Sequence, residues 1–430
     1  MGGRSTKMLT RIKPLRFIKD LRSDEQGATA VVFALMLPII IGGLALGAES
    51  GYWLMLKSNL QNAADVSAHS VGVNMRKGAS DSDLKRIAVL IAEGSGFRSD
   101  LGELEVNIPP RNGEFKGSRD HAEIVLTEWH ERLFSSFFSK TPVEIGARAT
   151  VTISGGTPLC VLSLAPNGRN ALQVGAFSEL IGEGCAVASN SVALTSISGI
   201  FGVSRINAEC VQSAGNITGI ISYDFKPCNA ELRYAAPISD PYMTFDEIDA
   251  TKVPCSEFPR MTGRDEVDVT PSFFIDGTPI SKFCENINFR GGVTFAPGVY
   301  VFEGGNLNIG GGVTVTGNQV SFFLNREASL RVNGGTLDLS APTSGPHKGL
   351  VLTNNRNDDV GQNIVLSNSS KLEGALYFPG STVTIAGGHT SHCGQLIAAF
   401  VRISGDTSFN PNCVAGQKNV MAGETVSVVE

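Results

Sequence analysis

The chain has 430 residues, a net charge of −6 and eight cysteines. That length allows two or three domains, and the acidic balance leaves no electrostatic footprint for nucleic acid. Glycine, at 49 residues, thickens after Thr152, which predicts many tight turns between short strands.

Residues 1–26 form a basic, polar tail with Arg4, Lys7, Arg11, Lys13, Arg16, Lys19 and Arg22, opposed only by Asp20, Asp24 and Glu25. This lone basic cluster suits anionic lipid headgroups. From Ala28 to Ala48 the chain runs 21 residues without a charge. At about 1.5 Å per residue that makes a helix of roughly 31 Å, enough to cross the hydrocarbon core of a bilayer. The positive-inside rule keeps the tail in the cytoplasm and sends the rest across. Ala45-Leu46-Gly47 also reads as a signal-peptide cleavage site, the alternative to an anchor. Against cleavage, the apolar run exceeds the ~7–15-residue core of a signal peptide. The helical pattern also continues through Tyr52, Trp53, Leu56, Leu60, Ala63 and Ala64. Tyr52 and Trp53 fall where interfacial aromatics are favoured, and Pro38 is tolerated in a membrane helix. Residues 27–78 are therefore a transmembrane helix and amphipathic stalk, helical to about Met75. The small residues of the stalk suit close helix packing, including self-association.

Residues 79–155 read as a small α+β module. Asp81–Ala92 has helical spacing, with Leu84, Ile87, Ala88 and Ile91 on one face and Ser80 as N-cap. Leu104–Ile108, Glu123–Leu126 and Val143–Ile153 read as strands. Trp129–Phe138 reads as a short amphipathic helix bearing Leu133, Phe134, Phe137 and Phe138.

From residue 156 to 430 the pattern changes to short i, i+2 apolar couples separated by Gly, Asn or Ser. Val293/Phe295, Val299/Val301, Leu307/Ile309, Val313/Val315, Leu330/Val332 and Leu337/Leu339 are the clearest, with Val320, Phe322 and Leu324 among them. Each couple faces one side of a strand. Their short, irregular repetition predicts stacked turns of an all-β right-handed parallel β-helix. Asn306, Asn308, Asn318, Asn325 and Asn333 are expected to cap turns or form internal amide ladders.

Cys160, Cys185, Cys210, Cys228, Cys255, Cys284, Cys393 and Cys413 all follow the predicted membrane crossing. An even count beyond it reads as disulfides in an oxidising compartment. Neighbour pairing is the simplest connectivity. The absence of C-x-x-C argues against a zinc ribbon or a thioredoxin-like site.

Candidate chemistry is sparse. Asp65, Ser67 and Ser70 lie on the stalk with the wrong spacing for a D-x-S-x-S cation site. His389, His392 and Cys393 cluster, but zinc would need further ligands from elsewhere. A polysaccharide-cleaving β-helix would need carboxylates and a base. The candidates are Asp265, Glu266 and Asp268 beside Arg264, or Asp358 and Asp359 near Arg356, all in polar loop-like stretches. The glycines from Gly304 to Gly312 lack the lysine and the following helix of a phosphate-cradling loop. No catalytic residue, metal site or cofactor is expected, and the chain does not read as an enzyme.

The segment from Gly27 to Ser70 resembles the N-terminus of TadE/TadG-like proteins of the Flp, or tight-adherence, pilus machinery. The steps that carry the resemblance are Glu49-Ser50-Gly51-Tyr52-Trp53 and Leu60-Gln61-Asn62-Ala63-Ala64-Asp65. Ala236–Phe245, Cys284–Gly305, Leu339–Leu352, Leu372–Gly388 and Cys393–Cys413 are similar to later segments of the TadG-like members. Prepilin-like members carry glutamate five residues after a cleavage-site glycine, whereas Val32 stands there after Gly27. The resemblance therefore implies an uncleaved TadG-like anchor. It also implies a single-pass protein of the bacterial inner membrane, N-terminus cytoplasmic and bulk periplasmic, whose partners are other Tad/Flp pilus assembly proteins. Two alternatives are a membrane-tethered carbohydrate-binding or carbohydrate-cleaving β-helix and a released surface adhesin.

Overall fold

The computed structural model describes residues 26–76, 79–223, 228, 231–243, 245, 247–261, 266–356, 363–367, 370–387, 390–411 and 421–429. The chain divides into two units. One holds the N-terminal helix to Val73, Ser80–Thr152 and the chain end from Val428, and the other holds Asn74–Ala79 and Ile153–Ser427.

The first unit is built on α1 (Gln26–Arg76), a single helix that carries Pro38 inside it. Its two halves have opposite surroundings. Residues 29–48 are apolar and solvent-exposed almost throughout, with Val31, Phe33, Leu35, Ile39 and Leu44 all uncovered. From Glu49 onward one face is buried, through Leu60, Ala63, Ala64, Ser67, Ala68 and Val71. The alanine stripe expected to suit helix packing is thus covered within its own unit. Ser67 donates to the carbonyl of Ala88 at 3.0 Å, and Gln61 to that of Arg148 at 2.8 Å. The second helix, α2 (Asp81–Gly94), is capped by Ser80, whose hydroxyl accepts the N–H of Asp83 at 3.3 Å. It buries Leu84, Ala88 and Ala92.

Three antiparallel strands complete this unit: β1 (Gly102–Asn107), β2 (His121–His130) and the first part of β3 (Val143–Ser163), with β2 in the middle. Here the structure corrects the sequence reading. Trp129 and His130 are strand residues opposite Glu144 and Val143, so no helix begins there. Only a single 3-10 turn, Phe134–Phe137, remains of the expected amphipathic helix. Pairing with β3 takes the first residues, and a carboxylate from α1 holds the turn that follows.

The second unit is a parallel β-solenoid. Its strands stack in three columns, and each coil contributes one short strand to each. One column runs through Gly298–Glu303, Val320–Asn325 and Leu350–Thr353. A second runs through Ile287–Phe289, Asn306–Gly310 and Ser329–Asn333, and a third through Val293–Phe295, Thr314–Gly317 and Thr336–Ser340. Most of the i, i+2 couples point inward, with Phe295, Leu307, Ile309, Val315, Leu330, Val332, Leu337 and Leu339 all buried in the interior, whereas Val299 and Val301 are buried on the outer face. Edge-to-face rings continue the interior, Phe295 lying 4.8 Å from Phe322 and Phe302 5.1 Å from Phe322.

The coils do not follow the chain from end to end. Residues 255–410 climb toward Leu396–Ser404, and that strand then pairs in parallel with β3, as Leu396 opposite Val161, Ile397 opposite Leu162 and Ala398 opposite Ser163. From this seam the coils of 159–223 continue the same stack through Glu179–Ser189, Ser204–Ser213 and Ile220–Tyr223. Ser163, Ser189, Ser196 and Ser213 form a buried hydroxyl chain there, with spacings of 2.7–2.9 Å. The chain then returns along the outside. Leu232 bridges Gln212, Tyr242 packs on Tyr377, Phe245 lies against Phe323 and Tyr377, and Ile248 joins Val299, Val301 and Phe323. This strap covers the first column, so every residue of Val320–Asn325 is buried on one face or the other.

Candidate functional site

The most distinctive local arrangement lies where the exposed apolar half of α1 ends. Glu49 is the first charged residue after the uncharged run, and it is only 1% exposed. Its carboxylate accepts the N–H of Leu133 at 2.8 Å, the N–H of Ser135 at 2.6 Å and the hydroxyl of Ser135 at 2.9 Å. A buried carboxylate needs this many donors to offset its lost hydration. One turn further along α1, the Arg132 guanidinium lies over the Trp53 ring, 5.7 Å from its centre, and donates to the carbonyl of Thr141 at 2.8 Å. The turn that follows β2 is thus pinned to α1 through Arg132, Leu133 and Ser135.

That portion of α1 carries the family resemblance. Residues 27–74 match the family described as putative Flp pilus-assembly TadE/G-like. No curated protein and no solved structure matches the chain. The TadE/G-like segment coincides with the apolar half of α1 plus its packed continuation, and it includes Glu49, Trp53 and the alanine stripe. One N-terminal helix long and apolar enough to cross a membrane fits single-pass anchoring.

Three disulfides staple the solenoid unit: Cys160–Cys185, Cys210–Cys228 and Cys255–Cys284, with Cα atoms 5.7, 5.4 and 5.7 Å apart. Cys393 is also disulfide-bonded, while Cys413 lies outside the described residues. The first pair lies inside the coils beside the seam. The third ties the end of the returning strap to the adjoining coil.

The candidate chemistry is dispersed. Arg264, Asp265, Asp358, Asp359 and His389 lie outside the described residues, and Glu266 and Asp268 face solvent. Arg356 is committed to the strap. It pairs with Asp240 at 3.0 Å and donates to the Tyr377 hydroxyl, which in turn donates to Asp240 at 2.8 Å. Burial, and then the Asp240 charge, push the Tyr377 hydroxyl well above its ordinary pKa, so it remains a donor. Sequence reasoning did not single out Asp240. The readable signal was the continuously apolar runs SFFL and ALYF, which announce a sheet covered on both faces.

His392, beside Cys393 in the chain, is turned into the interior. It is buried against Phe409 at 5.1 Å, and neither ring nitrogen has a hydrogen-bond partner among the described residues. On the stalk, the Asp65 carboxylate accepts from Gln61 at 2.8 Å, while Ser67 and Ser70 donate to main-chain carbonyls. Among the described residues no three His, Cys, Asp or Glu side chains are grouped to hold a metal ion. The asparagine ladder exists but faces outward rather than inward. Asn308 donates to Asn288 at 3.0 Å, and Asn306 to Asn286 at 3.2 Å through its side chain and 2.9 Å through its N–H.

Proposed function

We propose that this chain is a non-enzymatic, membrane-anchored accessory of Flp-type pilus assembly. It would sit in the bacterial inner membrane with its basic tail in the cytoplasm and its solenoid in the periplasm. The observation that carries this reading is the TadE/G-like match over residues 27–74, falling on an apolar helix whose first half is uncovered by protein. The basic tail supports the orientation, and the disulfides support an oxidising compartment. In this role α1 fixes position, and the stapled solenoid offers other pilus components a flank of repeated coils with ordered polar ladders.

The test is pilus number per cell by electron microscopy in a strain lacking the protein. Pili are expected to be lost, restored by the full chain, and not restored by a chain lacking residues 1–48. Normal pilus number and adhesion without the protein would overturn the role and favour a carbohydrate-binding solenoid. A mature N-terminus at or beyond Gly47 would favour a released adhesin.

A further inference from the structure

The turn that Glu49 holds displays an unusual surface. Leu133 is 52% exposed, Phe134 56%, Phe137 85% and Phe138 77%, while Ser135 between them is buried. Four large apolar side chains in six residues make a concentrated exposed patch, of the kind that marks a contact with another apolar phase. Part of the backbone beneath them is already engaged. Leu133 and Ser135 donate to Glu49, Phe138 and Ser139 donate to the carbonyl of Ser135 at 3.0 and 3.1 Å, and Ser136 donates to that of Leu133 at 2.6 Å. A turn with its rings outward and its remaining polar groups near water suits the interfacial layer rather than the hydrocarbon core. The Phe137 and Phe138 rings meet edge to face at 5.4 Å, which orders them as one wedge.

Position on the helix identifies the occupant. Glu49 follows directly on the uncharged run, and Trp53 lies about 6 Å further along the axis, at the depth where interfacial aromatics reside. The turn is fastened to both residues, so its rings continue the exposed apolar surface of α1 at the level where that helix leaves the bilayer. Lys140, exposed just beyond the rings, suits the phosphate layer.

We propose that Leu133–Phe138 is a second membrane contact, entering the headgroup and upper acyl layer of the leaflet from which α1 emerges. This inference rests on reading α1 as an anchor. Two points of attachment fix the rotation of α1 about its own axis and its tilt, because the wedge must face lipid. Glu49 is the positioning residue that ties the wedge to the helix.

The test uses the full chain in phospholipid vesicles, with a fluorophore on Phe137→Cys or, independently, Phe138→Cys, labelled without reductant. Leu44→Cys reports the anchor. Quenching is read from nitroxides at shallow and deep lipid positions and from aqueous iodide. Probes at 137 and 138 are expected to be quenched most by the shallow nitroxide. They should also be protected at least threefold from iodide relative to the free dye conjugate. If the probe at 44 is quenched by the deep nitroxide while 137 and 138 respond only to iodide, the wedge is refuted and the anchor stands. If none of the three meets lipid, both readings fall. Protection from iodide without nitroxide quenching would assign the patch to a protein partner and also overturn the proposal.

Discussion

Gln395 donates its side-chain amide to the carbonyl of Leu159 at 2.9 Å, across a sequence separation of 236 residues. The side chain is buried, and its own carbonyl faces the Tyr242 hydroxyl at 3.4 Å. One side chain therefore links the last run of coils, the first run and the returning strap. Gln395→Ala is expected to destabilise the protein by about 1–3 kcal/mol, the usual cost of abandoning a buried hydrogen bond. Urea unfolding followed by circular dichroism should give a lower midpoint with an unchanged slope.

The strap depends on Asp240 and Arg356. Removing either charge leaves the other beside the buried Tyr377 hydroxyl, so Asp240→Asn and Arg356→Ala should each cost about 1–3 kcal/mol. Amide exchange across residues 231–254 should speed up by tenfold or more, while exchange within Val320–Asn325 changes less. Equal acceleration in both segments would mean that the strap is not an independently opening element.

How much of this was legible follows from the kind of signal each part leaves. Leu307/Ile309 and Leu330/Val332 announce inward-facing strands through local spacing alone, so the solenoid could be read directly. Val161 opposite Leu396 leaves no local trace, because any two apolar strand residues could have met there. Leu133, Phe134, Phe137 and Phe138 have the spacing of a helix face and misled the reading. What decides their conformation is Glu49, on an element far away in the chain. The same distance hid the partnership of Arg356 with Asp240, so its charge looked free for chemistry.

The Cys255–Cys284 bridge closes a separation of 29 residues at the end of the strap. A loop of that size predicts a stabilisation of about 3–4 kcal/mol from restricting the unfolded chain. The double variant Cys255→Ala/Cys284→Ala should lose that amount in chemical denaturation. Its far-UV circular dichroism should remain that of a β-protein.

Acid should act in two steps. Burial pushes the His392 imidazole down to about 4, below its ordinary 6.5. The unfolded chain therefore binds the extra proton first, and stability falls as pH drops from about 6.5 toward 4, by up to about 3 kcal/mol. His392→Leu should flatten that limb. Glu123 behaves differently. Burial alone would raise its pKa, but hydrogen bonds from the Arg148 side chain, the Arg111 N–H and the Asn107 side chain outweigh it and hold the carboxyl below its ordinary value. Its contribution is full above about pH 4.5 and is lost on further acidification, so Glu123→Gln should affect only the lower limb. Thermal melts of both variants at half-unit pH intervals would separate the two steps.

The seam at Val161 and Leu396 sets a condition on biosynthesis. Synthesis proceeds from the N-terminus, so the edge of β3 exists long before Leu396–Ala398 can lie beside it. Until then the early coils present a bare parallel edge, the feature that invites mispairing and aggregation. The junction works as a clasp that only a nearly finished chain can shut. A product cut short before residue 396 carries an open clasp and an unpaired strand edge.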